Sequence, residues 1–205
     1  AHTDLLAEST DVAPGMSYTS VGRKAVTMNV SDIASKGAKP LTLLFSWGVS
    51  RGMRLSDIAA VSKGMDMAAK QYGTHVTGGD TGEAEELLLA GVALGLVEEE
   101  KLMRRSGARP GDMLSVTGLF GLTGIAYKIL LERLKAPTAI RGRALKSVYE
   151  PRARLGEGLA LAASGAATAC MDCSDGLARS LHWLSKMSRV GFTLTKPPID
   201  RDAEQ

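Results

Sequence analysis

Thr77-Gly78-Gly79-Asp80-Thr81 is the stretch from which the rest of the chain takes its meaning. The spacing predicts a short strand at His75-Val76-Thr77 and a longer apolar one from Glu86 to Val97. Between them, two glycines permit positive φ and let the backbone approach whatever Asp80 faces. An aspartate after Gly-Gly also forms turns by bonding its own backbone, so the stretch alone has two readings. Company decides between them, because further acids stand at expected strand or helix ends in Thr3-Asp4, Ser31-Asp32 and Asp172-Cys173-Ser174-Asp175. Two carboxylates about 4 Å apart repel by roughly 4 kcal/mol at an effective dielectric near 20, so a converging set needs cations between its members. The pattern predicts a magnesium and phosphate site.

The 205 residues, 44% hydrophobic and 23% charged, suit one large domain or two small ones. Abundant glycine (23) and scarce aromatics (4%) favour α/β layers with tight turns over a base-stacking surface. The net charge of +3 comes without a long Lys/Arg stripe, which admits anionic small molecules and speaks against nucleic acid. Cys170 and Cys173 lack the second pair that a zinc site needs, which leaves them as small packing residues and favours a reducing compartment. With no apolar run of about 18 residues and no signal pattern, the expected location is cytoplasmic, away from any membrane.

Along the chain, Thr3 to Ala7 has the character of the middle of a sheet, and Val12 to Met16 is a turn. Thr19 or Ser20 can cap a helix with Val21, Ala25, Met28 and Ile33 on one side, closed by Gly37 and Pro40. Asp32 falls in its last turns, where the helix dipole disfavours a negative charge. It shares a face with Asn29, as a pair of oxygen ligands would, or it pairs with Lys36 four residues on. A buried strand over Leu41 to Val49 and an amphipathic helix from Ser56 to Gly73 follow. Charge, Gly and Pro cluster over 98–112, so the expected division is an amino-terminal domain at 1–98, a linker at 99–112 and a carboxy-terminal domain at 113–205. Arg104 and Arg105 in that linker are either solvated or, beside a polyphosphate, a bidentate clamp.

The second region predicts a strand at Met113–Thr117, a helix opened by Gly118, Gly121 and Gly124, a basic loop at 136–148 and a small-residue helix from Leu155 to Ala163. The glycines either pack helix on strand or cradle phosphate, though neither the dinucleotide pattern nor a Walker lysine accompanies them. A strand from Ala166 to Met171 then leads to Asp172-Cys173-Ser174-Asp175-Gly176, at the sheet edge where α/β ligands sit. Ser174 or Asp175 is alternatively a plain N-cap for the next helix.

Four motifs in order carry a resemblance: Asn29-Val30-Ser31-Asp32-Ile33-Ala34 with Gly37-Ala38-Lys39-Pro40, then Gly78-Gly79-Asp80-Thr81, then Arg105-Ser106-Gly107-Ala108 with Pro110-Gly111-Asp112, then Asp172 to Leu177. Together they resemble the thiamine-monophosphate kinase family over nearly the whole chain. The wider superfamily also holds aminoimidazole-ribonucleotide synthetase, selenophosphate synthetase and a hydrogenase-maturation protein. The resemblance implies a two-domain α/β (α+β) synthetase-like fold, with an amino-terminal sheet forming a dimeric β-barrel and a second α/β domain, here incomplete. It implies magnesium held by Asp4, Asp32, Asp80, Asp172 and Asp175, with help from Thr3, and ATP contacted by Gly79, Asp80, Arg105 and Ser174. The family's opening Gly-Asp-Asp motif has no match, and the residues that hold the thiamine end are expected beyond Gln205. Bacterial members often carry a substrate-contacting His at the place of Asp11.

The implied reaction is in-line transfer from ATP to thiamine monophosphate in a homodimer. The attacking phosphate oxygen is already ionised and needs no strong base, so catalysis rests on Asp32, Asp80, Arg105 and the ions. The alternatives are another ATP-using enzyme of the superfamily, of the aminoimidazole-ribonucleotide or selenophosphate synthetase type, and a nucleotide-binding dimer without turnover.

Overall fold

A computed structural model describes residues 1–203. Four strands, β1 (His2–Ala7), β2 (Lys39–Val49), β3 (Val76–Glu83) and β4 (Leu88–Leu96), form one sheet in the order β1-β4-β2-β3. β4 pairs antiparallel with β1 and β2, and β2 pairs parallel with β3. The helices are α1 (Glu8–Asp11), α2 (Tyr18–Ser35), α3 (Leu55–Gln71), α4 (Leu122–Leu131), α5 (Thr138–Tyr149), α6 (Leu155–Ser164) and α7 (Leu177–Ser188). Among the described residues, no helix is long and apolar enough to cross a membrane.

Strand alternation sorts the sheet into two faces. Leu6, Leu43, Phe45, Leu89 and Ala93 are buried with Val21, Val26, Val30 and Ile33 of α2 and with Val61 and Met65 of α3. α2 and α3 touch backbone to backbone: a Cβ on Gly22 would lie 2.0 Å from the Val61 carbonyl oxygen, and one on Gly64 2.0 Å from that of Thr19. The other face stays open, with Leu5 52% exposed and Leu96 66% exposed.

The expected helices and the first strands are present, with shifted ends. Ser17, rather than Thr19 or Ser20, caps α2 by accepting the Ser20 N–H. The Gly-Gly-Asp stretch is no loop. It runs inside edge strand β3, where a Cβ on Gly79 would sit 1.8 Å from the Phe45 carbonyl oxygen, so glycine is required by the approach of β2.

In the second region the expected strands at Met113–Thr117 and Ala166–Met171 are absent. A strand needs a ladder of partners, and Ala166–Met171 finds only an isolated bond, Cys170 N–H to Arg104 O at 2.8 Å. The expected basic loop is helix α5, whose Ala144 and Val148 pack with Ala126 and Ile129 of α4 while Arg141 and Lys146 point outward. α6 closes on the end of α2, where Gly158 leaves room for the Ala34 carbonyl oxygen. That contact brings the second region against the carboxyl end of α2, which carries Asp32.

Candidate functional site

Three separate segments deliver acids to one cavity of about 220 Å³. Strand β1 sends His2 and Asp4 inward, because residues two apart on a strand share a face. The last turn of α2 supplies Asp32, whose side chain is only 12% exposed. The segment before α7 supplies Asp172, Ser174 and Asp175, and the linker supplies Arg105. Arg179, Ser180 and Trp183 of α7 complete the wall.

Hydrogen bonds hold these segments in place. Ser31 Oγ donates to Asp172 Oδ2 at 3.5 Å, joining α2 to the Asp-Cys-Ser-Asp segment. Ser180 Oγ donates to the Asp172 carbonyl at 3.2 Å, so α7 fixes the same residue from the other side. The Cys170 to Arg104 backbone bond brings Arg105 alongside, and its Nη2 lies 3.6 Å from Asp32 Oδ1. Asp175 reaches back to Arg179 at 3.6 Å on the exposed rim.

The electrostatics are those of crowded acids. Burial pushes the Asp32 carboxyl above its ordinary range and Asp172 adds to it, while His2 and Arg105 pull the other way. Burial likewise raises Asp4, opposed by the Leu5 N–H and His2 and reinforced by Asp11 and Asp172. Ligand atoms of His2, Asp4 and Asp32 all lie within 4.8 Å of one another. Such a set fits a divalent cation, since it offers two partly buried carboxylates that repel one another without one and an imidazole beside them.

Not every expected residue arrives. Lys36 is no partner of Asp32; burial, with Arg105 beside it, lowers its amine, and Arg105 and His2 stand next to the carboxylate instead. Asn29 is buried against Gly91, donates to the Ala25 carbonyl and does not line the cavity. Thr3 turns to the open face and donates to the Gly91 carbonyl. Asp80 is exposed on β3 and opposite Ser46, so it too points to the open face. Three strand spacings, roughly 14 Å, separate β3 from β1. Gly79 lies beside it, outside the cavity. Neither Ser174 nor Asp175 caps α7; Gly176 does so at φ 94°, with no side-chain bond. Asp11 accepts the Ala7 N–H at the end of β1.

His2 was not anticipated. The signal was available in the alternation His2, Asp4, Leu6 once the segment is taken as a half-buried strand.

Residues 1–97 match the family model described as AIR synthase related protein, N-terminal domain. A thiamine-monophosphate kinase of Pyrococcus horikoshii is 36% identical over 98% of this chain and 63% of its own length. The solved thiamine-monophosphate kinase of Stenotrophomonas maltophilia superposes with a TM-score of 0.87 at 26% identity, covering 98% of this chain and 65% of that one. AaThiL complexed with AMPPCP and TMP superposes with a TM-score of 0.84 at 28% identity, covering 92% and 60%. The chain thus spans somewhat under two thirds of these relatives. Residues 1–97 match the AIR synthase-related amino-terminal domain, and nearly the whole chain is similar in sequence to the thiamine-monophosphate kinases.

Proposed function

We propose that this chain is the larger part of an ATP-dependent kinase that converts thiamine monophosphate to thiamine diphosphate. The observation that carries the proposal is the convergence of Asp4, Asp32, Asp172 and Asp175 with Arg105 around one cavity, from four regions of sequence. The relatives' name and the AMPPCP and TMP complex supply the substrates. At about 220 Å³ the cavity is smaller than the roughly 300–1,000 Å³ that buries a drug-sized ligand, which suits phosphates and ions with the base outside.

Asp4, Asp32, Asp172 and Asp175 would hold magnesium, which supplies charge neutralisation as two anionic phosphates approach. Arg105 is 43% exposed and free to turn from Asp32 to a phosphate, which it can clamp through two N–H groups. Ser174, on the exposed rim, would donate to a phosphate oxygen. The acceptor oxygen is already ionised, so none of these residues has to remove a proton; their work is positioning.

Asp80 and Gly79 enter through a second copy in this reading. The face that carries Asp80 and Thr3 also carries Leu5, Leu44, Leu94 and Leu96, all more than a third exposed. A homodimer closing that face would bury the leucines and hand Asp80 of one copy to the other's site. The reading places the enzyme in the cytoplasm, where Cys170 and Cys173 would stay free.

A coupled assay of ADP release by the full-length protein tests the assignment. Turnover should require ATP, magnesium and thiamine monophosphate. A different acceptor stimulating turnover while thiamine monophosphate does not would reject it.

A further inference from the structure

We infer that His2 is itself a ligand to the ion held by Asp4 and Asp32, making this position selective for a first-row transition metal such as Mn²⁺ over Mg²⁺. The inference rests on the metal part of the proposed function and concerns which ion one position takes.

His2 Nε2 is closed off from solvent and makes no hydrogen bond, although it lies 3.1 Å from Asp32 Oδ2. The distance would suit an ion pair, but the hydrogen-bond angles are not met, which leaves a buried polar atom aimed at a carboxylate with nothing between them to satisfy it. A shared cation accounts for this arrangement. Neighbouring ligands each about 2.1 Å from an octahedral ion stand about 3.0 Å apart, which is the His2–Asp32 spacing. Asp4 brings the third donor, within 4.8 Å of the other two.

The donor set then decides the ion. Mg²⁺ prefers an all-oxygen shell and gives up water reluctantly. An imidazole nitrogen favours the first-row transition ions, and two carboxylates keep the site within the range of Mn²⁺. The other acids named for metal binding, Asp172 and Asp175, line the same cavity but lie outside the group of ligand atoms within 4.8 Å of one another that holds His2. The inference therefore divides the ions of the site into one nitrogen-ligated position and others ligated by oxygen.

Manganese is the probe. In the full-length protein without nucleotide, Mn²⁺ binding is titrated by electron paramagnetic resonance, with Mg²⁺ as competitor, and pulsed measurements look for ¹⁴N modulation from a bound imidazole. The expected result is ¹⁴N modulation in the wild type, its loss in His2→Ala, and a fall of about tenfold or more in the Mn²⁺ over Mg²⁺ preference. The wild-type ¹⁴N signal needs no variant, so a misfolded His2→Ala would not shield the inference. Mn²⁺ bound without ¹⁴N modulation overturns it and leaves the kinase proposal standing, with His2 a plain partner of Asp32. Absence of any Mn²⁺ binding overturns it as well, and the ADP assay then shows separately whether the kinase proposal survives.

Discussion

Replacing Asp32 by Asn should make the metal-free protein more stable and the metal-loaded protein less stable than the wild type. Burial and the neighbouring Asp172 carboxylate are the main causes that disfavour the Asp32 charge, with Asp4 adding to them, and a like charge roughly 5 Å away costs about 3 kcal/mol at an effective dielectric near 20. Arg105 returns under about 1 kcal/mol of this, since its side chain is 43% exposed and solvent screens the pair. His2 returns something only when protonated. The net relief on removing the Asp32 charge is roughly 1–2 kcal/mol, which for a chain of this size corresponds to a rise in Tm of roughly 2–8 °C. Adding Mg²⁺ or Mn²⁺ at about a hundred times its dissociation constant should stabilise the wild type by about 2.7 kcal/mol and the variant far less, so the order reverses. Differential scanning calorimetry with EDTA, then with each ion, reads both halves. A variant that melts below the wild type in EDTA would refute the reasoning, because Asp32 would then be a net favourable ion-pair partner of Arg105 and His2 and not one of a set of crowded acids.

The same electrostatics fix a pH dependence. The folded state holds the Asp32 proton to higher pH than the unfolded chain, whose value is near 3.8, so its contribution to stability is present at low pH and is lost as pH rises through the raised folded value. The EDTA stability gap between Asp32→Asn and wild type should therefore be small below about pH 4 and widen toward neutrality; a gap that narrows with rising pH would contradict the burial of that charge. At the α2–α3 contact, Gly64→Ala places a methyl 2.0 Å from the Thr19 carbonyl oxygen and should cost about 3 kcal/mol or more in urea unfolding, against near-wild-type stability if the helices can part easily. Leu44→Asp on the open sheet face should shift the protein to monomer in light scattering, and an unchanged mass would remove that face as the interface. Mixing inactive Asp32→Asn and Asp80→Asn chains under conditions of subunit exchange should restore about one quarter of wild-type activity if each site draws on both copies, and none if it does not.

The amino-terminal layers were legible because their signals are local. The α2 stripe of Val21, Ala25 and Ile33, the stop at Gly37, and the apolar run of β2 each follow from a period or a breaker that no distant residue overrides. The second region was less so. Arg141, Arg143 and Lys146 made 136–148 look like a basic loop, although Ala144 and Val148 at four-residue spacing pack on α4 and the charges are simply its outer side. The supposed strands at 113–117 and 166–171 had strand-like composition, but pairing is a property of two segments and their sequences state only one half of it.

The site divided along the same line. Motifs placed Asp4, Asp32, Arg105, Asp172 and Asp175 on the list, and the fold gathers them, yet the motif holding Asp80 carried no statement of which way its strand would turn. Parity settles that question: Phe45 is buried under α2, so Ser46 beside it turns outward, and Asp80, paired opposite Ser46, turns outward with it. The same parity on β1 turns Thr3 outward and His2 inward with Asp4. One register therefore adds a nitrogen donor to the cavity and removes two oxygen donors from it. If Thr3 and Asp80 serve a metal at all, it must be one that a second copy brings to the open face.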